Sequence, residues 1–184
     1  MLSSDGTAGR DFVLDAAGHK IETTNLGVDG RAAPDKEGVA RYRSVYDAGG
    51  NELEFACFGP DDRPVLHASG YHRRVHRYDA GGRLLEEATF GIDGSPIAMP
   101  DGYASLRQQF DARGQRVGQS YFDVDGRPAL HKSGYAGLRW TYDRRGKVVE
   151  SVRLGLDDKP LDGPDRYARW TTEYDERGNP VREA

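Results

Sequence analysis

Apolar and polar residues alternate over short stretches of the chain, and each stretch ends at turn-forming residues. In one such stretch the residues on one side of the alternation are Ala136, Leu138, Trp140 and Tyr142. A period of two indicates a β-strand, because successive side chains of a strand point to opposite faces. Asp143 to Gly146 predicts a turn, in which the aspartate caps the backbone and the glycine adopts a left-handed conformation. We therefore predict a strand over 135–142 and a return strand over about 147–154.

This pattern of strand, turn and strand recurs every 32 residues. The turn aspartates are Asp15, Asp47, Asp79, Asp111, Asp143 and Asp175, and a glycine follows three residues after each. A leucine or an aromatic residue precedes each of them, and a second aspartate lies fourteen residues further on in five units. A fixed period of this kind is typical of a repeat protein in which stacked units share one apolar stripe.

Proline occurs three residues after the second aspartate in four units, which favours a connection there over another central strand. Glycine, β-branched and aromatic residues interrupt every window, so no helix is expected. The predicted fold class is all-β: an open array or a curled antiparallel sheet of repeated β-hairpins, with five 32-residue units and a partial one. Residues 1–11 are expected to form an N-terminal tail, and residues 12–184 a single repeat domain.

Two motifs carry a resemblance to a known family. Tyr-Asp-x-x-Gly-x-x-x-Glu, at Tyr142–Glu150, and Asp-Gly-x-Pro, at 125–128, resemble the tyrosine-aspartate (RHS-type) repeats of bacterial proteins and are similar to MORN-like hairpin repeats. The resemblance covers residues 12–183. It implies a β-hairpin scaffold for enclosure, surface display or protein contacts, without a catalytic residue. By the same analogy, the chain would form part of a toxin-associated shell.

Charge and composition exclude several classes of function. The net charge of −4 and the isoelectric point near 5.7 are opposite to the basic surface of nucleic-acid-binding proteins, so no nucleic-acid partner is expected. Cys57 is the only cysteine, which rules out an intramolecular disulfide and favours a small core residue. No apolar run approaches the roughly 20 residues that span a bilayer, and no signal-peptide core follows Met1. A cytoplasmic protein without a membrane partner is the default expectation.

The first candidate site is the group His72, Arg74 and His76, which alternate on one predicted strand. The imidazoles of His72 and His76 are expected about 13 Å apart along an extended backbone, too far apart to share a metal ion without a third element. With Arg74 between them, they would suit an anion or an acidic peptide that guanidinium binds in a bidentate manner. The alternative interpretation is a stretch of structural residues on an open face.

Other acidic residues have structural explanations. The aspartates of the turns suit turn formation better than calcium binding, so neither a metal nor a cofactor is expected. Glutamates recur seven residues after the turn aspartate, at Glu22, Glu54, Glu86 and Glu150. Arginines lie at facing strand positions, at Arg43, Arg107 and Arg139. Cross-strand ion pairs are therefore predicted between these two sets.

The second candidate site is a column of tyrosines: Tyr71, Tyr103, Tyr135 and Tyr167. As an exposed aromatic ladder they would bind carbohydrate or a cell-envelope polymer, whereas packing in the shared core is the alternative. Since no catalytic motif accompanies the repeat, the leading hypothesis is a non-enzymatic scaffold for protein–protein interaction or structural assembly. Its partners would be another protein or a second copy of the chain, bound through exposed strand edges.

Overall fold

A computed structural model describes residues 3–4, 6–162 and 167–184, which form twelve β-strands and no helix. The chain divides into two compact units, Met1–Pro100 and Asp101–Ala184. The strands of the first unit are β1 (Gly9–Leu14), β2 (Lys20–Leu26), β3 (Arg41–Tyr46), β4 (Glu52–Phe58), β5 (Arg73–Tyr78) and β6 (Leu84–Phe90). The strands of the second unit are β7 (Ser105–Phe110), β8 (Arg116–Phe122), β9 (Gly137–Tyr142), β10 (Val148–Leu154), β11 (Arg169–Tyr174) and β12 (Pro180–Glu183).

Within each unit every strand pairs antiparallel with its neighbours in the chain. The first unit has the order β1-β2-β3-β4-β5-β6, and the second has β7-β8-β9-β10-β11-β12. Chain-order pairing leaves the first and last strands of a unit at opposite ends, so each array is open. The predicted all-β fold of consecutive antiparallel hairpins is confirmed. The single repeat domain expected over residues 12–184 stays a prediction.

The first turn of each repeat has the predicted chemistry. At Asp143 the backbone N–H groups of Arg145 and Lys147 both donate to Oδ1 at 2.9 Å, and the N–H of Gly146 donates to the aspartate carbonyl at 3.1 Å. Gly146 has φ 83°, and the register shifts by one residue between Val148 and Glu150. A tight turn followed by a glycine bulge is a common way to close a hairpin. The hydrogen bond from the Lys147 amide lowers the pKa of Asp143.

The sheet of the first unit has two chemically different faces. Paired residues point to the same side of a sheet, so Tyr42 shares a face with Cys57, and Phe55 shares it with Arg74. This side is called the tyrosine face. Arg43 pairs with Glu22 on β2 and belongs to the opposite side, called the arginine face. The alternation seen in the sequence therefore separates the side that carries Tyr42 and Phe55 from the side that carries the Arg43–Glu22 pair.

Each repeat has a second turn after its return strand, followed by a connection to the next repeat. The core of the first unit lies between the tyrosine face and these connections. Val39, Cys57 and Tyr71 are buried there, and Val65 and Ile97 of the connections pack against them. The N–H of Val65 donates to the Cys57 carbonyl, which holds that connection against the end of β4. Burial raises the pKa of the Cys57 thiol to about 12, and the prediction of a small core residue is confirmed.

Ion pairs join neighbouring strands in both units. The pairs are Arg43–Glu22 at 2.7 Å, Arg73–Glu54 at 2.9 Å and Arg169–Glu150 at 3.1 Å. The predicted pairing is confirmed for Glu22 with Arg43, whereas Glu54 and Glu150 bind arginines outside the predicted set, Arg73 and Arg169 of the facing strands. Arg139 instead binds Asp158 at 3.1 Å, and Arg107 stacks on Phe122. Because these groups are partly exposed to solvent, each pair contributes roughly 0–1 kcal/mol.

Candidate interaction surfaces

The predicted histidines of the first unit have different surroundings. His72 precedes β5 and is buried, with Nδ1 2.8 Å from the carbonyl oxygen of Cys57. His76 lies on the tyrosine face with its side chain 8% exposed, Nδ1 2.9 Å from the Glu52 carbonyl and Nε2 3.1 Å from Glu87 Oε2. Through these two contacts His76 links β4, β5 and β6, and in the protonated imidazole both ring nitrogens donate.

Arg74 lies on the same face between two aromatic rings. Its guanidinium carbon is 5.3 Å from the ring centre of Phe55 and 5.1 Å from that of Tyr71, distances typical of cation–π contacts. Its Nε is buried and has no hydrogen-bond partner among the residues with defined positions. Two rings therefore hold this guanidinium, and the anion contact expected of His72, Arg74 and His76 stays a prediction.

The pairing of His76 with Glu87 makes stability depend on pH. The hydrogen bond to Glu87 raises the histidine pKa above its ordinary 6.5, and the same bond lowers the pKa of Glu87 below 4.5. A raised histidine pKa stabilises the fold fully below the unfolded value, and this contribution is lost as the pH rises through the folded value. The contribution of Glu87 is present above its unfolded pKa and is lost as the pH falls through its folded value. The pair therefore stabilises the folded protein most between about pH 4.5 and pH 6.5, the ordinary pKa values of the two groups.

We expect Glu87→Gln to lower the free energy of unfolding most in that window. Its difference from the wild type should narrow as the pH rises through the folded pKa of His76, because the imidazole then loses the charge that the carboxylate binds. Urea unfolding between pH 5 and 9 measures the difference. Glu86→Gln is the matched control, because its partner Arg77, at 3.3 Å, stays charged throughout. A Glu87→Gln deficit that is constant over this range would contradict the assignment.

The four tyrosines of the predicted ladder do not share one environment. Tyr71 is 4% exposed and stacks on His67, with the ring centres 5.0 Å apart. In the second unit Tyr103 and Tyr135 are half-buried and stack with His131. Tyr167 is 59% exposed. The aromatic ladder stays a prediction, and Tyr167 offers the most open ring of the four.

Each unit also has an open cavity beside aromatic residues. The cavity of the first unit, ≈ 450 Å³, is lined by Tyr42, Phe55 and Asp35 among others. Its carboxylate is already bound, since the Tyr42 hydroxyl donates to Asp35 Oδ2 at 2.7 Å, and burial together with this bond raises the pKa of Tyr42. The cavity of the second unit, ≈ 340 Å³, is lined by Trp140 and Tyr142 with polar residues around them.

Exposed apolar side chains occupy one position of the second turns. They are Val28 (80% exposed) and Ile92 (52%) in the first unit, and Val124 (46%) and Leu156 (53%) in the second. We call these four the apolar turn residues. Backbone and aspartate hydrogen bonds close the turns without them, as where Arg127 N–H donates to Asp123 Oδ1 at 2.9 Å. In the sequence these four lie thirteen residues after a turn aspartate, a spacing that marks the column but not its exposure.

Two features are absent from the described part of the chain. No group of three or more histidine, cysteine, aspartate or glutamate side chains is arranged to hold a metal ion there. No helix in residues 3–4, 6–162 and 167–184 has the length and hydropathy needed to cross a membrane.

Comparison with known proteins gives a structural likeness without a sequence family. No protein family matches the chain, and no curated protein sequence matches it. Its fold defines it as a β-hairpin repeat protein. It is similar to part of the crystal structure of TcdB2-TccC3-TEV, with 16% identity and a TM-score of 0.40, over 95% of this chain and 9% of that one.

Two further structures give similar values. The crystal structure of TcdB2-TccC3-Cdc42 matches with 14% identity and a TM-score of 0.39, over 92% of this chain and 9% of that one. The Photorhabdus luminescens Tc holotoxin pore with a mutation in TccC3 matches with 12% identity and a TM-score of 0.40, over 95% and 10%. The chain therefore spans about a tenth of the length of the proteins it matches.

Proposed function

We propose that the chain is a non-enzymatic repeat scaffold that binds another protein through its apolar turn residues. Single exposed apolar residues are normal on a protein surface. Here, however, an apolar side chain is exposed at the same repeat position in four units, where the turn does not need it. Val124 and Leu156 follow strands two positions apart in the second unit, so they are about 10 Å apart. That spacing suits a partner that contacts consecutive repeats.

The environments of the polar side chains support a scaffold over an enzyme. The Asp143 carboxylate caps a turn, the His72 ring binds a backbone carbonyl, and His76 joins three strands. Each of these groups, which would otherwise be a candidate acid, base or ligand, contributes to the repeat itself. The apolar turn residues, by contrast, are exposed in both units.

We expect the double substitution Val124→Ser and Leu156→Ser to abolish partner binding while leaving the fold unchanged. The free energy of unfolding should change by about 0.5 kcal/mol or less, because both side chains are exposed. A photo-reactive residue at position 156 should cross-link one defined protein in cells that express the chain. Position 144, in an exposed first turn, is the matched control. Equal cross-linking from both positions, or none from position 156, would contradict the proposal.

A second candidate is a binding module for carbohydrate or cell-envelope polymer. The observation in its favour is the cavity lined by Trp140, Tyr142 and Arg113, since aromatic rings stack on sugars and polar groups bind their hydroxyls. The open ring of Tyr167 adds a further aromatic surface in the same unit. A glycan array without a bound sugar would remove this candidate. A place in a toxin-associated shell is a third proposal and rests on the repeat resemblance alone.

A further inference from the structure

β1, the first strand of the first unit, and β12, the last strand of the second unit, carry opposite charges at matching positions. Among the strands whose positions are defined, β1 is hydrogen-bonded to β2 alone and β12 to β11 alone. A strand edge with free backbone groups is a template for pairing with another chain. We propose that β12 of one chain pairs with β1 of a second copy, in the register that successive repeats use inside the molecule. The inference extends the proposed scaffold function to assembly, and it rests on that function for its purpose.

Successive repeats are joined in one constant register. The residue seven places after a turn aspartate pairs with the residue four places before the next one. The observed pairs are Glu22 with Arg43, Glu54 with Val75, Gly118 with Arg139, and Glu150 with Thr171. In every case the next two residues of the first strand continue the pairing in antiparallel fashion. Four junctions therefore define how the last strand of one repeat meets the first strand of another.

The same register places opposite charges together between β12 and β1. Arg182 lies seven residues after Asp175, and Asp11 lies four residues before Asp15, so the two would face each other. The next pairs are Glu183 with Arg10 and Ala184 with Gly9. Opposite charges at directly facing positions stabilise a strand pair, and the small residues at the third position allow close approach.

The backbone of β12 is oriented for this pairing. Thr171 and Ala184 exchange both of their backbone hydrogen bonds, at 2.8 and 3.0 Å. Because such pairs alternate along an antiparallel ladder, the N–H and C=O groups of Glu183 point to the outer edge. Glu183 and Arg10 would then form a hydrogen-bonded pair. Arg182 and Asp11 would form the adjacent non-hydrogen-bonded pair, where facing side chains approach most closely.

The sign of the charges distinguishes this junction from those inside the chain. At three of the four internal junctions the earlier strand carries a glutamate at this position, and at the first of them Glu22 binds Arg43 at 2.7 Å. At the proposed junction the arginine is on the earlier strand and the acid is Asp11. If β12 paired with a strand such as β3, Arg182 would face an arginine at the position of Arg43. If β1 paired with a strand such as β2, Asp11 would face a glutamate at the position of Glu22. Like charges at facing positions oppose those pairings, so each end strand selects the other.

The groups involved are accessible. Asp11 is exposed, and its carboxylate has no ion-pair or hydrogen-bond partner among the residues that the structure describes. Arg182 is 68% exposed and lies 3.5 Å from Glu173, an exposed contact that is worth little. β1 also exposes Phe12, Val13 and Leu14 at 48, 51 and 54%. Only three residue pairs meet, so the association should be weak and reversible, and head-to-tail contacts generate chains or rings of copies.

Charge reversal at the central pair tests the proposal. Asp11→Arg and Arg182→Glu are chosen because Arg10 also donates to buried Asn25 at 3.0 Å, which a change at Arg10 would disturb. Sedimentation velocity over a concentration series should show the wild-type chain associating as its concentration rises. Each single variant should associate roughly tenfold more weakly. An equimolar mixture of the two should regain association, because the reversed β1 of one then faces the reversed β12 of the other.

The control is Glu176→Arg, an equal charge change at an exposed first-turn position, which should leave association unchanged. Sedimentation of the wild type that does not depend on concentration would overturn the proposal, and so would a mixture that associates no better than its components. The cross-link from position 156 is measured separately, in the wild-type chain and in Asp11→Arg. A wild-type chain that associates but gives no cross-link from position 156 would count against the scaffold function alone. Failed charge rescue with an intact cross-link would count against the strand pairing alone.

Discussion

Gly102→Ala should destabilise the second unit far more than the same change at Gly134. Both glycines occupy the same repeat position and both have left-handed backbones, with φ 99° and 86°. An alanine in this conformation costs about 1–2 kcal/mol, which is the effect expected at Gly134. A Cβ at Gly102 would also lie 2.6 Å from the backbone oxygen of Leu130, whereas a Cβ at Gly134 would meet nothing within 4 Å. This collision should add about 1–3 kcal/mol.

The collision arises from the way successive connections stack. Lys132 N–H donates to the Asp101 carbonyl at 2.7 Å, which brings the backbone of one connection against the next beside Gly102. Urea unfolding of the two alanine variants measures the difference directly. Because Gly134→Ala shares the conformational cost, the excess in Gly102→Ala isolates the contact between repeats. Equal losses in the two variants would show that this contact is absent in solution.

Tyr71→Ala should cost about 3–5 kcal/mol of unfolding free energy, the range for truncating a buried aromatic side chain. Tyr71 is 4% exposed, packs with Val39 and Cys57, and stacks on His67. Its loss would leave a cavity in the core of the first unit and remove one of the two rings that hold Arg74. Thermal or urea unfolding followed by circular dichroism gives the size of the effect.

Tyr167→Ala is the matched control, because it removes the same side chain at the same repeat position where the ring is 59% exposed. We expect a change of about 0.5 kcal/mol or less there. The pair also separates packing from recognition within the tyrosine column. A large stability loss at Tyr167, or a negligible one at Tyr71, would contradict the burial described for this column.

Much of the fold could be predicted because its determinants are local. Tyr142–Glu150 contains the end of one strand, the capped turn and most of the return strand, and the structure has β9 and β10 around that turn. β9 begins two residues later than predicted, because Gly137 is the residue paired with Leu154 and the Ala136 N–H donates to that same Leu154 carbonyl, outside the regular ladder. Strand ends depend on such distant partners, whereas an Asp-x-x-Gly turn is determined by the conformational preferences of its own four residues.

The candidate sites were less predictable because they depend on which side of the sheet the connections cover. His72 and His76 are four residues apart in one repeat. The His72 ring nevertheless binds a backbone carbonyl, whereas the His76 ring joins the Glu52 carbonyl of β4 to the Glu87 carboxylate of β6. Glu54 was expected to pair across the sheet, but its arginine is chosen by side-chain reach rather than by backbone register. The apolar turn residues were visible as a column, but their exposure could be judged only once the turns had been placed.

The sequence by itself determined the repeat, its turns and the antiparallel order of the strands, since a constant 32-residue period and turn chemistry act over a few residues at a time. Only the tertiary structure decided which tyrosines are buried, which side of the sheet carries the core and which arginine each glutamate binds. These outcomes depend on contacts between repeats, where equivalent positions meet different neighbours. The columns are therefore equivalent in sequence, while Tyr71 lies in the core and Tyr167 lies at the surface.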